Sequence, residues 1–537
     1  MQAGSRKRFI AAGLLCVAGM GVLAQTQQTY QAQVQAGRVL SADEQQVLLL
    51  VNESAALLDQ GRTEPAAATA RRALELAKTT RMRDVEALAL HNLARLEFKG
   101  GQHELGLRLL RRTLLLYEIE GNLGGQGTIR LEMAEMLNQS GQVEASRAQA
   151  DIAGKLSAAA GDRLGVLNAT SFAVRTHGGD SATKEAQVES LLSQSQAQGA
   201  PLAEATALRQ QGRRAMEEGR LQEARQIFDR ALARSLTALN PEAESYSLLA
   251  LGEISAAQYK LPEAQVFYQR ALAAARKSKD SGAVGNALLK SALLQGLMGD
   301  AALMREQATQ AQAAFKADGQ LVGQGLASEA LGDAEWMDGR RPQAEAFYRE
   351  AIRAGETTKQ PVNEAGARLR LASLLRPNAF QAAKAEAERA IELYRAAGTK
   401  SGIAQGVFEL GRIYGAANDV GKGLEMVQHS RDLFAQINRQ DKTAMADLMI
   451  AGGQRYAGKL PEALAAVRRA IDGFGKAGML ADQAKAEQEH ADILARMGDA
   501  HGAEAALQRA LLLARQGDRP KLAEAVQRAL DAMKKGG

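Results

Sequence analysis

The sequence predicts an all-α fold: a right-handed α-solenoid, or superhelix, of about twelve helix-turn-helix units followed by a C-terminal capping helix. Three observations predict it. A forty-residue beat runs along the chain, small residues recur at three fixed places in each beat, and larger apolar residues fall between them at helical spacing. A length of 537 residues would by itself suggest several globular domains, but a sustained repeat overrides that prior.

The beat is plainest where the segment from Gly219 to Ala231-Leu232 returns as Tyr259 to Ala271-Leu272, and again from Gly458 to Ala470-Ile471. Its marker is Gly61, Gly101, Gly141, Gly179, Gly219, Gly299, Gly339, Gly458 and Gly498, with Tyr259, Asn378 and Asn418 filling the gaps. A glycine there fits the left-handed residue that ends a first helix, and Asn is its usual substitute. Pro262, Pro342 and Pro461, three residues later, fit the opening turn of a second helix, where no amide donor is needed. Asn240-Pro241 reads as a cap followed by that same opening.

The small residues lie seven before the marker (Ala94, Gly212, Gly252, Gly332), five after it (Ala66, Ala224, Ala463) and twelve after it (Ala73, Ala231, Ala271, Ala470). Small side chains there let two helices approach closely and let each pair stack on its neighbour. Leu248, Leu251, Phe267, Phe347 and Phe434 supply the larger apolar residues between them. Ala231→Leu should therefore overpack a crossing, whereas a change at Arg225, expected to be exposed, should be nearly silent.

These tied positions resemble the tetratricopeptide repeat (TPR) family, in its variant of about forty residues per unit, over residues 41–517. The family's frequent Trp is missing, Trp336 being the only tryptophan. Two units depart further. In the fourth, Phe172 and Leu191 replace small residues and a Gln/Ser-rich helix follows from Ser190 to Gln198; in the ninth, Arg376-Pro377-Asn378 replaces the usual turn. The resulting division is a leader at 1–24, a polar arm at 25–40, an N-terminal sub-array at 41–199, a C-terminal array at 200–519 and a capping helix with tail at 520–537. The fourth unit reads either as a hinge between sub-arrays or as drift within one continuous solenoid.

The leader reads as a secretory signal peptide. Arg6-Lys7-Arg8 precede an uncharged apolar stretch from Phe9, and Val22-Leu23-Ala24 offers a cleavage site before Gln25. The apolar stretch is short and Gly-rich for a bilayer span. Cys16 lies within it behind Leu14-Leu15, where a lipobox wants a small residue, so lipidation is not expected. The mature chain would then lack cysteine, which leaves no disulfide, thiol nucleophile or Cys-based metal site. A periplasmic or secreted location follows, with cleavage after Ala24 and no membrane span in the mature chain.

Composition narrows the function. With 46% hydrophobic and 24% charged residues, the chain is neither largely disordered nor a polytopic membrane protein. The formal charge of +6 falls to +3 once the leader's basic trio is set aside, too thin a field to predict nucleic-acid binding despite the pI near 9.2. No catalytic constellation is visible. His91, His103, His177, His429, His490 and His501 form no metal-binding pair, and His501 with Glu504 lacks further ligands. No phosphate loop or G-x-S-x-G elbow is present, and Glu217-Glu218 fits a solvated helix face. The recurring Arg72, Arg112, Arg230, Arg270, Arg389, Arg469 and Arg509 likewise read as a solvated convex face. No cofactor, metal or enzymatic activity is expected.

The resemblance implies a concave groove built by first helices. By register its candidates are His91, Asn92, Arg95, Lys99, Glu132, Glu135, Arg209, Arg213, Glu253, Glu329, Asp333, Arg412, Arg455 and Asp492. The family's Lys/Asn clamp for peptide carboxylates does not transfer: only Asn52 and Asn92 occupy its asparagine position, and its lysines are missing. Basic lining in units two and five, and acidic lining in units three and eight, fits a protein or peptide ligand of mixed charge. Two functions are therefore expected as alternatives. One is a non-catalytic scaffold holding protein partners in the bacterial cell envelope; the other is a sensor that binds a small effector and regulates a separate output protein.

Overall fold

The computed structural model describes Thr26, Tyr30, Gln31 and residues 38–536 apart from 141, 177–180 and 518. The leader with Cys16, its cleavage site, the markers Gly141 and Gly179, and His177 lie outside the described residues. Among the described residues there are 25 helices and no strand, from Ala42–Asp59 to Pro520–Gly536. They form twelve antiparallel pairs and a final single helix. The fold is an α-solenoid of TPR-like helix pairs.

Nine of the pairs are closed by a left-handed residue. Gly61, Gly101, Gly219, Gly299, Gly339, Gly458 and Gly498 all have positive φ, and so do Tyr259 at 56° and Asn418 at 62°. The amide hydrogen bonds around them are those of a Schellman cap, with Arg62 N donating to the Leu57 carbonyl at 2.9 Å and Gly61 N to that of Leu58 at 3.0 Å. Asn378 does not take this conformation. The first helix of the ninth unit, Pro361–Leu375, stops early because Pro377 supplies no amide hydrogen, and Ala379 N returns to the Leu375 carbonyl instead.

Among the described residues, a second left-handed turn lies twenty residues after eleven of the markers, between units. It is glycine at Gly121, Gly161, Gly199, Gly319, Gly398 and Gly478, but Arg81, Leu239, Lys279, Lys359 and Asn438 elsewhere. The sequence pattern hides it because so many residue types accept the αL conformation at a cost of about 1–2 kcal/mol. The structural period is thus twenty residues, and the chemical period forty.

The small residues do what their spacing predicts. Ala66, Ala73, Ala224, Ala231, Ala271, Ala463 and Ala470 are fully buried at the crossings. A methyl group added to Gly212 would meet the Phe228 ring at 2.8 Å. Arg225 is a different case from the exposed residue expected. It spans to Glu263 of the next unit at 2.6 Å and lies 5.8 Å from the Phe267 ring, because a long second-helix side chain reaches the neighbouring pair.

The ends and the irregular unit are held by apolar contact. Val526 and Leu530 of the final helix pack with Ala491, Leu494, Ala503 and Leu507, covering the twelfth pair. In the fourth unit, Phe172 clusters with Leu131 and Ala153, and Leu191 with Leu167 and Ala203, so burial continues through it. Tyr30 in the polar arm is buried, and its hydroxyl donates to Asp84 at 2.9 Å.

First helices touch the first helices of neighbouring units, which places them on the inner wall, while second helices form the outer one. The winding is tight enough for successive superhelical turns to meet. A methyl group on Gly219 would lie 3.9 Å from the Asn438 carbonyl oxygen, and one on Gly319 would lie 4.0 Å from His103 Nε2. Tyr259 is hydrogen-bonded to Asp482, and the Arg519 guanidinium lies 4.4 Å from its ring centroid. About five and a half units therefore complete one superhelical turn. At Gly219 a turn inside a unit thus rests against a turn between units, at Asn438, one coil away.

Candidate functional site: the inner wall of the superhelix

The inner wall is set by helix geometry. Residues nine and thirteen of a first helix lie one turn apart on one face, and that face looks into the superhelix. Arg209 and Arg213 hold these places in Pro201–Glu217, as Glu329 and Asp333 do in Leu321–Met337. Glu135, Glu253, Arg412 and Asp492 hold the thirteenth place in their own helices.

Four of the expected lining residues are withdrawn into the packing. His91 and Glu132 are 2% and 1% exposed, and His91 Nε2 lies 2.5 Å from Glu132 Oε2. Asn92 donates to the Val51 carbonyl at 3.3 Å, and Arg95 is buried beside them. Asn92 turns into the seam with the first helix of unit one, and Glu132 reaches back to His91 across the gap between Arg83–Lys99 and Leu123–Gln139, so these side chains bond within the wall rather than line the groove. Burial pushes the Glu132 carboxyl up, but the charge and hydrogen bond of His91, with Arg95 behind it, outweigh this and hold it low.

Glu253 and Asp333 among the remaining candidates follow a pairing rule that the sequence reading missed. The thirteenth residue of one first helix faces the tenth of the next, thirty-seven residues on. Glu253 pairs with Lys290 at 2.5 Å and Asp333 with Arg370 at 3.3 Å, while Arg95 adds its charge to Glu132. A variant of the rule joins Arg455 to Glu489 at 2.6 Å and Arg376 to Glu409 at 2.6 Å. Arg455 also meets Asp492 at 2.9 Å, and Arg412 meets Glu409 at 2.9 Å. Lys290 and Arg370 were legible in principle as opposite charges thirty-seven residues on, and Glu409 and Glu489 as opposite charges thirty-three and thirty-four residues on.

Two carboxyls on the wall are pushed up to about 7. For Glu135 the cause is burial first, with Glu132 and Glu242 adding repulsion that Arg175 opposes from 3.9 Å. For Glu329 burial again leads, with Arg370 opposing and Asp333 reinforcing it. Burial also raises Asp333, whose Oδ1 accepts from the Tyr348 hydroxyl at 2.7 Å. Arg209 is lowered to about 10 by burial and then by the charge of Arg175, with Glu242 opposing. Lys99 is exposed and contributes positive charge toward Asp318 one superhelical turn away. Arg175, Glu242 and Tyr246 join this wall without having been singled out from the sequence.

The seven recurring arginines of the outer face are exposed, as expected, and four of them, Arg112, Arg389, Arg469 and Arg509, also make ion pairs. Arg469 donates to Asp447 at 2.8 Å, and Arg509 grips Glu487 with two bonds of 2.9 and 3.0 Å. Arg112 reaches Glu86 at 2.9 Å. Among the described residues no group of three or more His, Cys, Asp or Glu side chains is placed to hold a metal ion, and no helix is long and apolar enough to cross a membrane.

A chamber of about 1140 Å³ lies on the inner wall of units five to seven. Arg209, Arg213, Tyr246 and Glu253 line its floor. Its roof comes from the next superhelical turn, through Asn438, Arg439, Lys442 and Met479.

No family model and no curated protein matches the chain. Among solved structures, the Cut9-Hcn1 hetero-tetramer of APC/C is 12% identical at a TM-score of 0.46, covering 97% of this chain and 99% of that one. A Rap protein complexed with competence and sporulation factor is 13% identical at 0.44, covering 76% and 98%. The apo form of RapI is 12% identical at 0.38, covering 51% and 98%. At these scores the likeness decides nothing beyond what the helix pairs already establish.

Proposed function

We propose that the protein is a non-catalytic scaffold that holds a protein or peptide partner along its inner wall. The observation that carries this reading is the wall itself. Charged side chains of both signs sit at matched places on successive first helices, and one such pair, Glu253 and Lys290, lines a chamber of about 1140 Å³. That volume exceeds the usual small-molecule pocket of roughly 300–1,000 Å³, and a mixed-charge wall complements a polypeptide surface better than an apolar ligand. The work takes place in the bacterial cell envelope, a location that rests on the basic and apolar pattern of the first 24 residues.

Cross-linking pull-down from an envelope extract tests the scaffold. A stable stoichiometric partner is expected, and recovery of the chain alone would sink it. Fractionation of the producing cell tests the location, with the chain expected in the periplasm or medium. A sensor for a small effector is the second reading. Contact between superhelical turns at Tyr259 and Asp482 favours it, since a ligand could trade those contacts for its own and change the pitch. A metabolite-induced thermal shift with no protein partner would select it.

A further inference from the structure

The pairing rule along the inner wall is not general. Thirty-seven residues beyond Glu135 and Arg412 stand Phe172 and Met449, and Glu135 and Arg412 meet Arg175 and Glu409 instead, whereas Arg213 has no such substitute among the described residues. Arg213 is the thirteenth residue of its first helix, and the residue thirty-seven positions on, where a carboxylate would answer it, is Ala250. Arg213 is exposed and, among the described residues, makes no ion pair. One turn before it, Arg209 donates to Thr206 Oγ1 at 3.1 Å, while its Nη1 is inaccessible to solvent and has no partner. Two guanidinium groups thus stand side by side on the chamber floor with no carboxylate within ion-pairing distance. Arrangements of this kind are costly unless an anion completes them.

The rest of the chamber sharpens what that anion is. Its own carboxylates are largely taken: Glu253 by Lys290, Glu218 by Arg214 at 2.8 Å, and Asp441 by Arg439 at 2.9 Å. Lys442 adds a further cation from the roof. Between the charges lie Met216, Leu249, Ala250, Leu297 and Met479, an apolar lining that a simple inorganic anion would leave uncovered. The two arginines are spaced by one helical turn, about 5.4 Å along the axis, and each planar fork accepts a carboxylate in two-pronged fashion. The leader and arm of this same chain are no candidate occupant, because no Asp or Glu occurs before Asp43.

We propose that this chamber is the seat of an acidic peptide segment, in which Arg209 and Arg213 hold two carboxylates while neighbouring apolar side chains fill the space between floor and roof. The inference deepens the scaffold reading and depends on it. Because the roof belongs to the next superhelical turn, the segment enters along the superhelical axis or when two turns part.

The test is fluorescence anisotropy of the full chain with a labelled ten-residue peptide alternating Glu and Leu. Saturable binding is expected, with a dissociation constant at least ten-fold weaker for Arg209→Gln/Arg213→Gln and unchanged for Arg108→Gln on a second helix. Arg213→Gln alone, at an exposed position, keeps the test readable if the double variant folds poorly; a weakening of at least three-fold is expected. The same peptide with Lys for Glu should not bind. No saturable binding, equal affinity for the Lys peptide, full displacement by citrate at the peptide's own concentration, or indifference to both substitutions would each overturn the proposal. The two readings fail separately: a partner captured equally by parent and double variant leaves the scaffold standing and removes the chamber.

Discussion

Arg370 and Asp333 lie thirty-seven residues apart in the chain and 3.3 Å apart in space, joining the ninth first helix to the eighth. The other oxygen of Asp333 accepts from Tyr348 at 2.7 Å, so one carboxylate ties three helices together. Burial nevertheless raises Asp333, and raises Glu329 beside it to about 7. Glu329 therefore keeps its proton to a higher pH than it would in water.

A pH dependence follows. Glu329 binds its proton more tightly folded than unfolded, so its contribution to stability is complete below the unfolded value near 4.5 and is lost as pH rises toward 7. Arg370 faces it and opposes the shift, while Asp333 adds to it. Glu329→Gln should therefore leave urea stability unchanged at pH 5 and raise it at pH 8 by on the order of 1 kcal/mol, allowing for screening by groove water. A variant less stable than the parent at pH 8 would show that the carboxylate is fully compensated.

The pair between His91 and Glu132 has the opposite sign. Glu132 is held below its ordinary value, so its stabilisation is present above about pH 4.5 and is lost as pH falls through the folded value. Its Oε1 has no hydrogen-bond partner, and removing His91 would strand the charge further. His91→Ala should cost about 3 kcal/mol near neutral pH. Hydrogen exchange would place the loss in the second and third units, as expected when repeats depend on their neighbours.

Ala231→Leu should destabilise by about 1–3 kcal/mol, because Ala231 is fully buried at a helix crossing. Arg225→Ala breaks a partly exposed contact to Glu263 and should cost less, about 0.5–1 kcal/mol. Thermal melts of the two variants give the comparison. Equal losses would mean that the crossing can relax around a larger side chain.

Tyr259→Gly relieves a left-handed backbone at φ 56° but removes the contacts to Asp482 and Arg519 between superhelical turns. Small-angle scattering should show a longer particle, with helix content by circular dichroism unchanged. An unchanged maximum dimension would mean that the other contacts between turns hold the pitch without it.

Much of the site was legible where chemistry repeats with the fold. Arg209, Arg213, Glu329 and Asp333 were found by register because residues one helical turn apart share a face whatever surrounds them. His91, Asn92 and Glu132 were placed in the groove by the same register and lie buried instead. Their depth depends on how closely two first helices stand, and no single helix encodes that distance. The partners Lys290, Arg370 and Glu489 escaped notice because each belongs to a different unit from the residue it neutralises.

The sequence by itself determined the helix pair, its length and its small-residue crossings, because these are local matters of capping, periodicity and side-chain volume. Only the tertiary structure decided how far each pair rotates on the last, and hence that Gly219 comes to rest against Asn438 and a chamber closes over Arg209 and Arg213. A small rotation per unit, set by the sum of many packing contacts, accumulates over five or six units into contact between residues more than two hundred positions apart.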